Sequence, residues 1–277
     1  MHARWIVLAT LLLAGCGSTP KPAEPPRLKA ALETESDGAR RFERGDYVVA
    51  ARRFDEAARI YTSIDDRAGA ARNHRHLARA ELAQGHAEAA LLALPGDADG
   101  LTLETTLLKA QAELALDRLD AAHQSLAAAA TQCAAACPQQ ASLRLLQARA
   151  ALAAQRAPDA LAHAGAALKL LGDGNEAAET GNAWRLIAAA RLATGDPAGA
   201  LPAAVAALDI DRRMALPEKI ARDWLLIGDI RKTLGAPDSA SAYQRAADVA
   251  QAAGLAEVVR LAAQALAATG PGSGPGR

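Results

Sequence analysis

Small and apolar residues recur at helical spacing after three similar turns. Gly45-Asp46-Tyr47 is followed by Ala50, Phe54 and Ala57, and Gly195-Asp196-Pro197 by Ala200, Ala204 and Ala207. Gly235-Ala236-Pro237 is followed by Ala240 and Ala247. Upstream of the last two turns stand Trp184-x-x-Ile187-Ala188 and Trp224-x-x-Ile227-Gly228. Residues three and four apart share one helix face, so each turn is predicted to join two helices. Gly45, Gly85, Gly195 and Gly235 are expected to end first helices, in the left-handed conformation that costs glycine little. Pro197 and Pro237 are expected to open second helices, where a missing N–H costs nothing. The chain is rich in Ala, Leu, Arg, Glu and Gln, all good helix formers, and poor in β-branched and aromatic residues. An all-α fold is predicted.

The N-terminus has another pattern. Arg4 precedes a mainly apolar run from Trp5 to Leu13, then small residues and Cys16. A basic start, a short apolar core and a small-residue site describe a secretory signal rather than a folded element. The run from Trp5 to Gly15 is 11 residues, against the ~20 a helix needs to cross a bilayer. Leu13-Ala14-Gly15-Cys16 resembles the bacterial lipobox. That resemblance implies cleavage before Cys16, lipid on its sulfur and stable anchoring in the cell envelope. Gly17, where Asp would direct inner-membrane retention in enteric bacteria, favours the outer membrane, with the protein facing the periplasm. Gly17 to Pro26 reads GSTPKPAEPP, a proline-rich leash. Extended at about 3.3 Å per residue, residues 17–30 reach roughly 45 Å. Gly270 to Arg277 reads GPGSGPGR, a glycine–proline tail that lacks the context of a phosphate loop.

The turns, the tryptophans and the alanines together resemble the tetratricopeptide repeat, W-x2-L-G-x2-Y, a turn, then A-x3-F-x2-A. Taking the small residue of each first helix as a marker gives Gly38, Ala78, Ala110, Ala148, Ala188 and Gly228, spaced by 40, 32, 38, 40 and 40 residues. The markers are small because the two helices of a hairpin cross there. The resemblance implies a right-handed α-solenoid of six hairpins, each burying its apolar face on the next. A C-terminal capping helix from about Leu255 to Ala268 would present Glu257, Arg260 and Gln264 to water. The expected division is a signal at 1–15, the lipidated cysteine and linker at 16–30, the repeat domain at 31–269 and the tail at 270–277. Trp184 and Trp224 hold the same slot in two repeats, which argues for packing between helices.

The charges are 31 basic against 31 acidic, and 30 against 31 once Arg4 is removed with the signal. That balance gives no reason to propose nucleic acid as a partner. Aromatic residues are 3% of the chain, too few for a stacking platform. No H-E-x-x-H, G-x-S-x-G or P-loop is present, so neither an enzyme nor a cofactor is expected. His74 and His76 are two apart and face different sides of a helix, and His86 adds no metal-ligand spacing.

Cys133-Ala-Ala-Ala-Cys137-Pro138 has three readings. In an oxidising periplasm the favoured one is a local disulfide, made possible because Pro138 ends the helix and frees its last turn. The others are free or intermolecular thiols, and a redox pair. The redox reading lacks the C-x2-C after a strand that thioredoxin-type enzymes use.

In tetratricopeptide domains the first helices line a groove that holds a peptide. Carried onto this chain, the groove positions are Arg72, Arg75, Arg79, Arg149, Asn182, Arg185, Arg222 and Asp229. Arg72, Arg75 and Arg79 share one helix face and suit carboxylates; a solvated face with local ion pairs is the plainer alternative. The function implied is a lipid-anchored scaffold for an envelope protein or peptide, in secretion, pilus, outer-membrane or wall assembly. Two other classes stay open. One is a redox or enzyme accessory using Cys133 and Cys137. The other is a small-ligand carrier, ranked last because alanine-rich packing leaves little room for a cavity.

Overall fold

The computed structural model describes residues 25–96, 102–133, 137–172 and 177–269. Cys16, the signal, the N-terminal part of the leash and the glycine–proline tail lie outside the described residues. Thirteen helices are present among those described, packed as consecutive hairpins with a final single helix. The hairpins are α1 (Pro26–Glu43) with α2 (Tyr47–Ser63), α3 (Arg67–Ala83) with α4 (Ala87–Ala93), and α5 (Leu103–Ala115) with α6 (Leu119–Gln132). They continue with α7 (Gln140–Ala153) and α8 (Ala157–Leu171), α9 (Ala177–Ala193) and α10 (Pro197–Arg213), and α11 (Pro217–Thr233) and α12 (Ser239–Ala252). Helix α13 (Ala256–Ala267) closes the stack. The fold is all-α, in the tetratricopeptide-like order that the sequence pattern predicts.

Helix α1 starts at Pro26, inside the stretch expected to be extended. Pro26 is its first residue, and there the absent N–H and fixed φ suit a helix rather than forbid one. Pro197 opens α10 in the same way. Pro237 differs: it lies in a turn, and α12 begins two residues later at Ser239. The buried positions of α12 therefore shift. Ala242, Ala246 and Ala250 are fully buried, whereas Ala240 and Ala247 are half-exposed.

Alanine forms the core along the whole stack. Ala50, Ala57, Ala78, Ala110, Ala148, Ala160, Ala188 and Ala204 are all fully buried. With only a methyl group between them, helix backbones come close, and larger side chains fill the flanks. The two glycine markers are tighter still. A Cβ on Gly38 would sit 2.8 Å from the Phe54 ring, and one on Gly228 would sit 2.4 Å from the Tyr243 ring. Trp224 is buried among Ile187, Ile227 and Leu208, and Trp184 packs on the same cluster from its edge. Arg212 and Arg245 lie over the Trp224 ring at 5.1 and 4.8 Å.

Nine of the twelve connections carry the same three-residue turn, eight as the whole connection and the one after α11 with Pro237 and Asp238 added. In each, the middle residue is left-handed, and the N–H of the third residue donates to the carbonyl five residues back. Asp46 bonds Arg41 at 3.0 Å, Asp196 bonds Arg191 at 2.9 Å and Leu255 bonds Ala250 at 2.8 Å. This closure satisfies carbonyls left open at a helix end. Glycine takes the left-handed place at Gly45, Gly85, Gly195, Gly235 and Gly254, but Asp65, Asp117, Gln155 and Ala215 take it elsewhere. The connections after α4, α6 and α8 run partly outside the described residues.

On α13, Val258 and Ala262 are buried while Glu257, Arg260 and Gln264 face solvent. Among the described residues no helix is long and apolar enough to cross a membrane.

Candidate functional site

The row on α3 exists as a row, and its arginines are bound to carboxylates of the same chain. Arg72 donates Nε and Nη2 to the two oxygens of Glu35 on α1, at 2.6 and 2.9 Å. Tyr61 on α2 donates its hydroxyl to Glu35 at 2.7 Å, and the guanidinium lies over its ring. Burial alone would raise the Glu35 carboxyl. The hydrogen bonds from Arg72 and Tyr61 outweigh it and hold the group at about 2. Burial and the Glu35 carboxylate push the Tyr61 hydroxyl up to about 12. Arg75 and Arg79 converge on one acid, Glu104, in the first turn of α5, at 3.0 and 2.7 Å. The first helices α1, α3 and α5 are thus joined across repeats by ion pairs.

A second set joins the far end. Arg185 on α9 donates to Asp223 on α11 (Nε to Oδ1, 2.6 Å) and through Nη2 to Asp211 on α10. Both carboxylates are fully buried. Asn182 accepts from Arg185 at 3.0 Å and donates to Glu179 at 3.2 Å, which orients the guanidinium. One guanidinium against two acids leaves a negative charge in a dry place. Burial first, and then the Asp211 charge, raise Asp223 to about 7 against the bonds from Arg185 that oppose the shift. Gly181 fits against this cluster, since a Cβ there would meet Asp211 at 3.0 Å.

Of the remaining positions, Asp229 accepts the Tyr243 hydroxyl at 2.8 Å and Arg222 donates to Glu218 one turn back at 3.0 Å. Arg149 on α7 is different. It is exposed and makes no hydrogen bond or ion pair among the described residues. Although water reaches the side chain, surrounding protein crowds it. That desolvation, with the Arg222 charge added, lowers its pKa from the ordinary value. Arg149 and Arg222 stand on first helices two repeats apart.

His76 stacks on Phe54 at 5.0 Å and is lowered by burial, while His86 meets Glu81 at 2.9 Å. Among the described residues no three His, Cys, Asp or Glu side chains group to hold a metal. Helix α6 ends at Gln132, and Cys133 caps it. Cys133 and Cys137 are joined, with Cα atoms 5.2 Å apart. The bond therefore lies just past the last residue of the helix.

Reading by sequence missed Glu35, Glu104, Asp211 and Asp223. A signal for two of them exists: Glu35 precedes Arg72 by 37 residues and Asp223 follows Arg185 by 38, close to one repeat.

No protein-family model matches the sequence, and no curated protein is similar to it. Solved structures are similar in fold. The apo form of RapI superposes with a TM-score of 0.57 at 14% identity, over 86% of this chain and 71% of that one. The Cut9–Hcn1 hetero-tetramer of the APC/C gives 0.63 at 16% identity, over 87% of this chain and 46% of the other. The chain therefore spans under half of that neighbour. Likeness at this identity establishes architecture: the chain has the fold of a tetratricopeptide-like stack of helical hairpins.

Proposed function

We propose that this protein is a lipid-anchored scaffold of the bacterial cell envelope that holds a partner protein or peptide on the face of its first helices. The observation that carries the reading is Arg149. Five of the eight candidate groove residues serve inter-helix contacts within the fold, Asn182 bonds Glu179 and Arg185 of its own helix, and Arg222 has only an exposed one-turn pair. Arg149 has no acid of its own, so it is the position at which a carboxylate from outside gains most. Fold similarity supports a protein as the partner, because Cut9 is seen in complex with Hcn1. The lipobox at Leu13–Cys16 supports the anchor, and the proline-rich leash supports reach from an outer-membrane foot into the periplasm.

Two experiments test the two halves. Labelled palmitate should enter the wild-type chain in cells and be lost in Cys16→Ala. A photo-crosslinking residue placed at Arg222, another groove position on a first helix, should give a discrete adduct in intact envelopes. Arg149→Glu should abolish that adduct. A chain that labels normally but yields no adduct, or one indifferent to Arg149→Glu, overturns the groove reading while leaving the anchor standing.

A further inference from the structure

An open cavity of about 280 Å³ with a mixed polar and apolar lining lies between α5 and α6, in the hairpin that follows the shortest helix of the stack. Alanine-rich packing is expected to leave little room for a cavity. Helix α4 has 7 residues, where the other second helices have 14 to 17. The cavity is lined by Thr106, Lys109 and Glu113 on α5, and by Gln124, Ser125 and Gln132 with two alanines on α6. Gln132 donates to the Thr106 hydroxyl at 3.2 Å, tying the two helices together there.

Glu113 is the feature without an explanation in the fold. It is 5% exposed, and its Oε2 is buried with no hydrogen-bond partner. The other two buried acids are supplied with a cation, since Asp211 and Asp223 share Arg185. A buried carboxylate with no cation is costly, so a site that keeps one is completed from outside or neutralised. Lys109 stands one turn before Glu113 on the same helix, exposed and outside ion-pair distance of it. The lining therefore holds one acid and one base, both unpaired with each other, among neutral hydroxyls and amides.

We propose that this cavity binds a small zwitterion of amino-acid size, with its ammonium on Glu113 and its carboxylate at Lys109. An ammonium carries three donors. One reaches the carboxylate, and Ser125 and the Gln124 amide offer neutral acceptors for the others. A divalent metal is a poorer fit, because the lining offers a single carboxylate and no imidazole. A cation with no negative group would face the Lys109 charge at the rim. The volume of about 280 Å³ lies just below the roughly 300–1,000 Å³ of ligand pockets, which suits a ligand of amino-acid size. The proposal is independent of the first-helix groove.

The test is a titration of the isotope-labelled chain followed by amide shifts in α5 and α6. The probes are glycine, 4-aminobutyrate and lysine, with propylamine and propionate as single-charge controls. At least one zwitterion is expected to bind tenfold or more tightly than either control. Glu113→Gln should lose at least tenfold in affinity without a fall in melting temperature, because it removes a buried charge and keeps the shape. Lys109→Met should bring the zwitterion and propylamine to similar affinity. No shift with any probe at millimolar concentration overturns the proposal, as does binding that survives Glu113→Gln. Propylamine binding as tightly as every zwitterion to the unsubstituted chain also overturns it.

Discussion

Arg185 grips Asp223 by two hydrogen bonds, Nε to Oδ1 at 2.6 Å and Nη2 to Oδ2 at 3.3 Å, and so ties two consecutive repeats through one guanidinium. The same group serves Asp211. Replacing it leaves two buried acids facing each other. Arg185→Met is expected to cost about 3–5 kcal/mol, measured by urea unfolding. A loss under about 1 kcal/mol, the value of a surface pair, would show the network to be dispensable.

The same network makes stability depend on pH in an unusual direction. Asp223 is raised from 3.8 to about 7 in the folded chain. Between those values the folded state keeps a proton that the unfolded state has released. Stability therefore falls as pH rises through that window and levels off above about 7, with a slope of at most ~1.4 kcal/mol per pH unit. Asp223→Asn should flatten the slope. Unfolding midpoints from pH 4.5 to 8 decide it.

Glu35 has the opposite sign. Its carboxyl is lowered from 4.5 to about 2, so its contribution is present above pH 4.5 and is lost as pH falls towards 2. Amide exchange in α1–α3 should accelerate as the pH falls from 4.5 to 2.5, after correction for the intrinsic rate, and exchange in α9–α11 should not follow it. Equal behaviour at both ends would contradict the two assignments.

Four of the left-handed turn positions lack glycine, and each bears a side chain where the backbone disfavours one. Ala215, at φ 52, is the simplest case. Ala215→Gly should stabilise the chain by about 0.5–1 kcal/mol, and Gly195→Ala should destabilise it by about 1 kcal/mol. Thermal melts of the pair give the comparison, and equal signs would count against a shared turn geometry.

The bond between Cys133 and Cys137 closes a loop of five residues, for which chain entropy predicts about 2 kcal/mol. A double Cys133→Ser, Cys137→Ser chain should lose that much stability and nothing else. Alkylation in cells should find the thiols blocked. Thiols that cycle between free and blocked under reductive stress would point to redox chemistry instead.

The fold was legible because its rule is local and repeated. Gly38 and Gly228 read as crossing points from sequence alone, and each now faces an aromatic ring too close for a Cβ. The turns were legible only where glycine filled them. At Asp65, Asp117, Gln155 and Ala215 the closing hydrogen bond imposes the left-handed conformation on a residue that does not advertise it. The last hairpin slipped by two residues because Pro237 opens a turn rather than a helix. The groove was legible as positions, not as roles. An arginine on a first-helix face looks free until the acid one repeat away is placed beside it, as Glu35 is beside Arg72. Glu113 left no signal at all, since a single acid near the end of a helix reads as solvated.

The shared turn also leaves its tips open. A Cβ on Gly45, Gly85, Gly195, Gly235 or Gly254 would meet nothing within 4 Å, and Asp65, Asp117, Gln155 and Ala215 already carry side chains at the same left-handed place. A probe attached at such a tip projects away from the alanine core, at the cost of the left-handed backbone alone. The stack can thus be labelled turn by turn along its length without unpacking a helix.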